Sequence, residues 1–246
     1  MIKPNKAAKF HLTETDSGLD LLVHADGEPG PEVYKAGGDL VADLDLARLV
    51  WNKEPILTIR EPMLRMAGLP VTIPPGAFLQ ATSESQEAMT QAVLEACPDG
   101  ISKAMDLYSG LGAFGLALAA KADKVVAVEG LSPATAALDK ALRGTPLHPK
   151  LDIFTRDLEL WPLTAKEMED ADLVVFDPPR AGAKAQAPII AAAEPKTVIA
   201  ISCNPATFSR DLVPFQRAGY QLSWAKAFDQ FLYSAHLEVM AVLKKP

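Results

Sequence analysis

Hydrophobic and polar positions alternate along the first 75 residues in a way that predicts a small α+β domain. The alternation is clearest on both sides of Asp16-Ser17-Gly18, a turn sequence that favours a β-hairpin. The predicted elements are strands over 9–15, 19–24, 56–66 and 69–73, with a short helix over 43–51. Pro74-Pro75-Gly76 then interrupts the pattern, and we place a domain boundary there, between residues 1–75 and 76–246.

From residue 83 onward, stretches of helical period alternate with short apolar strands. The predicted strands are 103–108, 124–129, 151–155, 172–177, 196–201, 220–228 and 236–243. The predicted helices are 84–97, 113–121, 133–143, 164–169, 184–193 and 206–218. Because strands that alternate with helices form βα units, we expect an α/β fold with a mainly parallel, Rossmann-like sheet. The last strand is expected to run antiparallel to the others.

Composition and charge exclude several classes of protein. With 49% hydrophobic and 22% charged residues, the chain has the mix of a soluble globular protein. No apolar run approaches the ~18 residues of a membrane span, and the N-terminus has no signal-peptide core. A net charge of −7 counts against strong sequence-independent binding to nucleic acid. The two cysteines, Cys97 and Cys203, are too few for a four-thiolate metal site, so we expect no metal and a reducing, cytoplasmic location.

The first strand of the predicted sheet ends in a turn that suits a nucleotide cofactor. It reads Asp106-Leu-Tyr-Ser-Gly110-Leu-Gly112-Ala113, with a helix N-terminus directly beyond it. Glycines at these two positions let the backbone turn tightly and approach a ligand. The spacing Asp-x-x-x-Gly-x-Gly favours S-adenosylmethionine over a pyrophosphate cofactor. Gly115 completes the dinucleotide motif Gly-x-Gly-x-x-Gly in letters, but it falls where the helix should already have begun.

Further candidate cofactor ligands follow the ends of later strands. Glu129 ends the second strand, where a carboxylate can accept both ribose hydroxyls of an adenosine. Asp157 is a candidate for the adenine amino group, and a solvated loop acid is the alternative for both residues. Tyr108 either packs on the methionine part of the cofactor or caps the core. Asp177 opens Asp-Pro-Pro-Arg180, whose prolines either form a stiff wall beside the reactive end of the cofactor or simply stop the strand.

Cys203 stands where an apolar strand gives way to a helix at Asn204-Pro205. This is the carboxyl end of the predicted sheet, where α/β folds carry out their chemistry. A lone cysteine is more commonly a buried hydrophobic residue, and Cys97 keeps that interpretation, but the strand-end position of Cys203 favours a nucleophile. The strand near the C-terminus carries Glu238, so a carboxylate can return to the same site.

Together these motifs resemble the RNA uracil-5-methyltransferase family, bacterial enzymes that methylate uridine in tRNA or rRNA. The resemblance covers about residues 75–246, and residues 1–75 look like the small domain that precedes the catalytic domain in this family. The Ser-Cys-Asn-Pro-Ala-Thr run is its most specific part. The matching sequences are Phe78-Leu-Gln80, Asp106-Leu-Tyr-Ser-Gly-Leu-Gly112, Asp177-Pro-Pro-Arg180, Ser202-Cys-Asn-Pro-Ala-Thr207 and His236-Leu-Glu238.

The resemblance implies a class I methyltransferase fold and a covalent mechanism on RNA. Cys203 would add to carbon 6 of uracil as a thiolate favoured by its pocket, and Glu238 would be the general base that removes the proton from carbon 5. Gln80 and Phe78 would shape the uracil pocket, while Arg180 would hold a uracil carbonyl or stabilise the enolate. The implied cofactor-binding residues are Gln80, Tyr108, Gly110, Gly112, Ala113, Glu129, Asp157 and Asp177, with Ala113 offering only its backbone amide.

The chain also departs from the family. Members commonly carry an N-terminal β-barrel and a four-cysteine iron–sulfur site, whereas this sequence begins too late for the barrel and has too few cysteines for the cluster. We therefore interpret it as a natural short form or a fragment, without an iron–sulfur cluster, that acts on rRNA or tRNA and has no membrane or stable protein partner. Two alternatives stay open: a cofactor- or RNA-binding remnant without turnover, and an amino-methyltransferase of the Asp-Pro-Pro type. Arg180 argues against the second, because an aromatic residue usually follows those prolines.

Overall fold

The computed structural model describes residues 7–246 except positions 232 and 235. The chain divides into two compact units, Met1–Phe78 and Leu79–Pro246. The division falls shortly after Pro74-Pro75-Gly76, where Gly76 adopts a positive φ of 70°. Each unit has its own sheet.

The first unit is built on a four-stranded sheet in the order β1-β2-β3-β4. Its strands are β1 (Lys9–Thr15), β2 (Gly18–His24), β3 (Leu46–Trp51) and β4 (Glu54–Thr58), and α1 (Pro31–Asp43) connects β2 to β3. Strands β2 and β3 are parallel, which requires the crossover that α1 provides. A separate hairpin is formed by β5 (Met63–Met66) and β6 (Leu69–Thr72).

The helix predicted over 43–51 is wrong, because residues 46–51 form the buried strand β3 and the helix lies earlier, at Pro31–Asp43. Every residue of β3 is buried, so its sequence shows none of the alternation that marks a half-exposed strand. Gly37 and Gly38 lower the helical propensity of α1 and obscure it in the sequence. The space around Gly37 explains one of them, since a Cβ there would lie 2.9 Å from the Ile56 side chain.

The second unit contains a seven-stranded sheet flanked by helices, and the predicted alternation is confirmed with small shifts of the boundaries. The helices are α2 (Ser83–Ala96), α3 (Ala113–Ala119), α4 (Ser132–Leu142), α5 (Gln186–Ala193) and α6 (Pro205–Arg217). The strands are β7 (Lys103–Leu107), β8 (Lys124–Glu129), β9 (Leu151–Thr155), β10 (Leu173–Phe176), β11 (Thr197–Ser202), β12 (Gln221–Phe228) and β13 (Glu238–Lys244). The helix predicted over 164–169 is only a short 3-10 turn, Lys166–Met168.

The strand order is β12-β13-β11-β10-β7-β8-β9, with parallel pairing from β11 through to β9. Strand β13 is antiparallel to both of its neighbours, β11 and β12, as predicted for the last strand. The strands β7, β8 and β9 are added to the sheet in one direction, and β10 is then added on the other side of β7. The order of the strands therefore reverses between β7 and β10, which lie side by side. In open α/β sheets this switch point forms a crevice beyond the carboxyl ends of the strands.

The core of this unit lies between the sheet and its helices and keeps the strand ends fixed. Phe215 of α6 stacks on Phe176 at the end of β10, with ring centroids 6.0 Å apart, and meets the edge of Tyr220 at 5.5 Å. Both phenylalanines are essentially fully buried. Such pairs add to the hydrophobic stabilisation of simple burial. In the part of the chain that the structure describes, no helix is both long enough and apolar enough to cross a membrane.

Candidate active site

The carboxyl ends of the parallel strands and the start of β13 meet at one edge of the sheet. Strand β11 ends at Ser202, which pairs with Val239 of the antiparallel β13. This register puts Cys203, the residue after the end of β11, level with Glu238, the first residue of β13. Strand β10 lies on the other side of β11, so Asp177 follows at the same edge. The sheet therefore gathers a thiol and two carboxyl groups from distant parts of the sequence.

The glycine turn after β7 is a compact, strained segment that starts α3. Gly110 and Gly112 have positive φ values of 53° and 82°, and Gly112 is the N-terminal boundary residue of the helix. A Cβ on Gly112 would lie 2.7 Å from two methyl carbons of Leu138, which is fully buried in α4. A Cβ on Gly110 would meet open space. Ala113 is the first residue of α3. Its contact with the cofactor through the backbone amide stays a prediction.

Asp106 is a fully buried carboxyl group beneath this turn. Its Oδ2 accepts the backbone N–H of Gly115 at 2.7 Å, and a Cβ on Gly115 would lie 2.9 Å from the same oxygen. Gly115 thus belongs to α3, as predicted, and it is needed for the close approach to Asp106. Burial raises the pKa of Asp106 to about 7, and the nearby charge of Glu129 adds to the effect.

Two buried polar atoms at this turn have no hydrogen-bond partner among the described residues, Oδ1 of Asp106 and Oγ of Ser109. Buried polar groups are nearly always paired, so unpartnered ones indicate a place where a ligand or water completes the bonding. From the sequence, Asp106 was predicted only as part of a spacing motif, and Ser109 was given no function. A buried role for Asp106 could have been predicted, since an aspartate inside an otherwise apolar strand requires a polar partner.

Glu129, at the tip of β8, holds the glycine turn in place. Its Oε2 accepts the N–H of Gly110 at 2.9 Å, and its Oε1 accepts the N–H of Leu131 at 2.8 Å. Each carboxylate oxygen has a further lone pair, so the predicted ribose contact is chemically available. The carboxylate is half-buried and its orientation is fixed by backbone groups rather than by mobile side chains.

Asp157 and Tyr108 are each engaged in contacts within their own neighbourhood. Oδ1 of Asp157 accepts the N–H groups of Glu159 at 2.9 Å and Leu160 at 3.2 Å, so this oxygen caps its own turn. Asp157 lies beside the β8 tip, since a Cβ on Gly130 would be 3.5 Å from its Cα. Tyr108 packs against the core and donates its hydroxyl hydrogen to Glu159 at 3.2 Å. Burial and the Glu159 charge raise the pKa of Tyr108, so the hydroxyl stays protonated.

Asp177 and Gln80 are joined directly. Nε2 of Gln80 donates to Oδ2 of Asp177 at 3.3 Å, and the two residues are far apart in sequence. Burial raises the pKa of Asp177 to about 8, and the charges of Glu238 and Asp106 add to the rise. A carboxyl group with a pKa near neutrality in a crevice is a mark of a functional site.

The Ser-Cys-Asn-Pro-Ala-Thr segment fixes the neighbouring Asp-Pro-Pro-Arg loop. Asn204 caps α6 by accepting the N–H of Ala206 at 3.1 Å, and its Nδ2 donates to the carbonyl oxygen of Arg180 at 3.2 Å. The hydroxyl of Thr207 donates to the same carbonyl oxygen at 3.3 Å. The motif thus has a structural function in addition to carrying Cys203, because it fixes the backbone of the loop at Arg180.

The electrostatic environment of Cys203 differs from the prediction. Burial raises the pKa of the half-buried thiol, and the charges of Glu238 and Asp177 raise it further, while Arg180 acts in the opposite direction. The expectation that the pocket itself favours the thiolate is therefore wrong, because burial and the charges of the two carboxyl groups together outweigh the effect of Arg180. Cys97 is buried, as expected of a structural cysteine.

Glu238 is the buried partner of this thiol, with only 5% of its surface exposed. Burial raises its pKa, and a hydrogen bond from Gln230 partly offsets the rise. Gln230 was not predicted as a site residue, because a single glutamine in a loop carries no sequence signal. Phe78 belongs to the first unit, where 79% of its surface is exposed, so its predicted part in the uracil pocket stays a prediction. Among the described residues there is no group of three or more His, Cys, Asp or Glu side chains arranged to hold a metal ion.

The sequence and the fold were compared with known proteins. Residues 158–246 match the family model described as tRNA (Uracil-5-)-methyltransferase. An uncharacterised RNA methyltransferase of Brucella melitensis is 43% identical over 237 residues, which is 96% of this chain and 57% of that protein. A Pseudomonas fluorescens protein named 23S rRNA (uracil(1939)-C(5))-methyltransferase RlmD is 38% identical over 173 residues, 69% of this chain and 38% of that protein.

Solved structures share the fold at lower identity. The tRNA (uracil-54, C5)-methyltransferase of Pyrococcus abyssi, in complex with S-adenosyl-L-homocysteine, superimposes with a TM-score of 0.72 over 95% of this chain and 59% of that chain, at 20% identity. TYW2 of Pyrococcus horikoshii, in complex with MeSAdo, superimposes with a TM-score of 0.62 over 95% of this chain and 90% of that chain, at 13% identity. The chain spans little more than half the length of the Brucella relative. The chain is thus similar over nearly its whole length to proteins named RNA methyltransferases, and residues 158–246 match the uracil-5-methyltransferase family.

Proposed function

We propose that this protein transfers a methyl group from S-adenosylmethionine to carbon 5 of a uridine in rRNA or tRNA, through a covalent adduct of Cys203. The observation that carries the proposal is the pairing of Cys203 with the buried carboxyl group of Glu238 at adjacent strand ends, in the crevice of the sheet. A thiol and a general base at the same edge match the two residue types that this chemistry requires.

The residues of the crevice fit S-adenosylmethionine. The glycine turn and Glu129 offer backbone donors and carboxylate oxygens to the nucleoside, and Oδ1 of Asp106 and Oγ of Ser109 are buried polar atoms without partners in the described chain. Asp177 interacts electrostatically with Glu238 and Asp106, and Glu238 and Asp177 both act on the thiol. When bound, S-adenosylmethionine supplies the methyl group and brings a positive sulfonium into this acidic pocket. Opposite charge in a partly desolvated site stabilises both the ligand and the ionised forms of its neighbours.

The proposed reaction assigns a separate task to each side chain. Cys203 gives its proton to solvent and its sulfur bonds to carbon 6 of uracil, so that the electron pair of the double bond moves toward carbon 5 and the carbonyl oxygen. Carbon 5 then bonds to the methyl carbon as the bond from that carbon to the sulfonium sulfur breaks, and S-adenosylhomocysteine is the leaving group. Glu238 removes the remaining proton from carbon 5, the electrons of that bond restore the double bond, and the sulfur leaves carbon 6 as thiolate. Arg180 would stabilise the negative charge of the enolate, and its positive charge already acts on Cys203.

The raised pKa of Cys203 gives this proposal a specific form. Burial, and then the charges of Glu238 and Asp177, raise the pKa of the thiol, so the thiolate is disfavoured. Positive charge that enters the pocket with the methyl donor is expected to favour the thiolate. Such coupling protects the cysteine from reactions in the absence of substrate, since the thiolate rather than the thiol is the nucleophile.

The proposal is tested with the Cys203→Ala protein. Methyl incorporation into unmodified transcripts of 23S rRNA and tRNA should fall by about 10³-fold or more, because the nucleophile is gone. Cys97→Ala is the matched control, since it removes the buried cysteine that follows α2. It should leave turnover at the level of the unmodified protein. Nucleoside mass spectrometry identifies the product as 5-methyluridine. Undiminished activity of Cys203→Ala would overturn the proposal.

A further inference from the structure

Gln230 lies in the connection between β12 and β13, two positions after Phe228, which pairs with Glu238 in the sheet. Its side chain is half-buried, and its amide makes hydrogen bonds with residues that precede α2. Those partners, Gln80 and Ala81, belong to a segment about 150 residues earlier in the chain. A side chain that bridges two such distant segments at an active site has a positioning function as its simplest explanation.

A backbone group sets the direction of every hydrogen bond in this network. The N–H of Ala81 can only donate, so the atom of Gln230 that faces it, at 3.0 Å, is the carbonyl oxygen Oε1. The amide nitrogen of Gln230 therefore faces Gln80 and donates to its Oε1 at 2.9 Å. Because Oε1 of Gln80 accepts this bond, Nε2 of Gln80 lies on the opposite side of the amide and donates to Oδ2 of Asp177. The orientation of both glutamine amides follows from one N–H group of the main chain.

One hydrogen of the Gln230 amide remains available to Glu238, because Nε2 carries two hydrogens and only one is used by Gln80. An interaction with the Gln230 side chain lowers the pKa of Glu238, as expected of a donor beside this carboxyl group. The network therefore runs from a fixed backbone donor through Gln230 to the Glu238 carboxyl group, with a branch through Gln80 to Asp177. A carboxylate held by a donor of fixed direction keeps one oxygen occupied and presents the other to the substrate.

We propose that Gln230 is a positioning residue for this reaction, which orients the Glu238 carboxylate for removal of the carbon 5 proton and locks the Gln80 amide in one orientation. The inference rests on the proposed function, in which Glu238 is the general base. Gln230 touches neither substrate nor cofactor in this assignment. Its effect passes through Glu238, whose other titratable neighbours are Cys203 at the end of β11 and Asp177 at the end of β10, with Asp106 next to Asp177.

The test compares Gln230→Met, which keeps the length of the side chain but removes its hydrogen bonds, with the unmodified protein. Turnover on 23S rRNA transcripts should fall about tenfold while the KM for RNA changes less than about threefold, since the loss affects a step after binding. The acidic limb of the kcat profile should move to higher pH, because Glu238 loses the donor that favours its ionised form. Methylated covalent adducts should accumulate, since only their resolution is slowed.

A trapping experiment separates the base from the nucleophile. Transcripts that contain 5-fluorouridine cannot lose a proton from carbon 5, so adduct formation on them reports only the steps before Glu238 acts. Gln230→Met should form this adduct at the rate of the unmodified protein. Gln216→Met makes the same substitution at an exposed glutamine of α6 and should change neither turnover nor the pH profile.

A second variant keeps the inference falsifiable if Gln230→Met does not fold. Gln230→Glu retains an oxygen for the Ala81 N–H but, when ionised, repels Glu238, so its pH limb should move further than that of Gln230→Met. Unchanged turnover and an unchanged pH limb in either folded variant would overturn the inference. If the unmodified protein itself forms no adduct with the 5-fluorouridine transcripts, the proposed function fails instead, and the two failures are thereby distinguished.

Discussion

The two halves of the crevice are constructed in different ways. On the β7–β8 side, the carboxylates of Asp106 and Glu129 accept backbone N–H groups of Gly115, Gly110 and Leu131. On the β10–β11–β13 side, Asp177 and Glu238 are held by the side chains of Gln80 and Gln230. Backbone donors stay in place as long as the fold exists, whereas a side-chain network can rearrange. The proposed cofactor half is thus preorganised, and the proposed substrate half is adjustable.

Charge also differs between the two halves. Beside the thiol, burial raises the pKa values of Cys203, Asp177 and Glu238, and the charges of neighbouring carboxyl groups add to the rise for Cys203 and Asp177. Glu129 on the other side is half-buried, and two N–H groups compensate its charge. Acidic groups without compensating cations make a site that is stable when protonated or when a cation is bound. This contrast supports the proposal that a cationic methyl donor binds beside the thiol.

The largest expected effect comes from the reacting half. Glu238→Gln removes the general base but keeps the size of the side chain and a hydrogen-bonding partner for Gln230. Turnover should fall by about 10²–10⁴-fold, the usual contribution of a general base. Because Cys203 is intact, the RNA should accumulate as a covalent complex, detected as a protein band of reduced mobility in denaturing gels. A variant that lost turnover without accumulating this complex would assign Glu238 to an earlier step.

The cofactor half is tested through its glycines. Gly112→Ala places a Cβ 2.7 Å from the buried Leu138 side chain at a φ of 82°, so we expect a loss of about 2–4 kcal/mol in the free energy of unfolding. Gly110→Ala is the matched comparison, because it has a positive φ but open space around the added carbon, and should lose only about 1 kcal/mol. Denaturant titration measures both losses. Equal losses would mean that Leu138 moves aside and that only backbone conformation matters.

The same contrast explains how far the sequence alone predicts the molecule. Strands such as β8 and β9 were predicted because their apolar runs are bounded by turns, and the glycine turn because its spacing is local. The helix α1 was missed, since Gly37-Gly38 hides its propensity. The thiol pKa and the role of Gln230 depend on contacts between segments far apart in the chain. Local patterns thus predict the glycine turn and the positions of Cys203, Asp177 and Glu238, whereas tertiary contacts decide how these groups interact.

A smaller effect is expected in the pH dependence of ligand binding. With pKa values of about 8 for Asp177 and about 7 for Asp106, both carboxyl groups are partly protonated near neutral pH. A cationic ligand binds their ionised forms better, so the affinity for S-adenosylmethionine should rise from pH 6 to 8, by at most about tenfold per pH unit for each group. S-adenosylhomocysteine lacks the sulfonium charge and should show a weaker rise. Calorimetric titration of both ligands measures the difference, and parallel pH dependences would contradict it.

The smallest expected effect concerns stability and follows from the sign of the Asp177 shift. The pKa of this acid is raised from 3.8 to about 8 in the folded protein, so the folded state holds a proton that the unfolded chain has lost between these values. The stabilisation is therefore complete below about pH 4 and disappears as the pH rises through 8. Asp177→Asn removes the charge and keeps an oxygen for the Gln80 amide. Its melting temperature should match the unmodified protein below about pH 4 and exceed it at pH 9, by about 2–4 °C for each kcal/mol of repulsion relieved. Glu167→Gln is the opposite case, because hydrogen bonds from Thr164 and Arg156 lower the Glu167 pKa to about 2 and an acid of this kind stabilises the fold at high pH. If both variants lost stability in parallel at pH 9, repulsion among the buried carboxylates would not be the reason that the reacting half requires a cation.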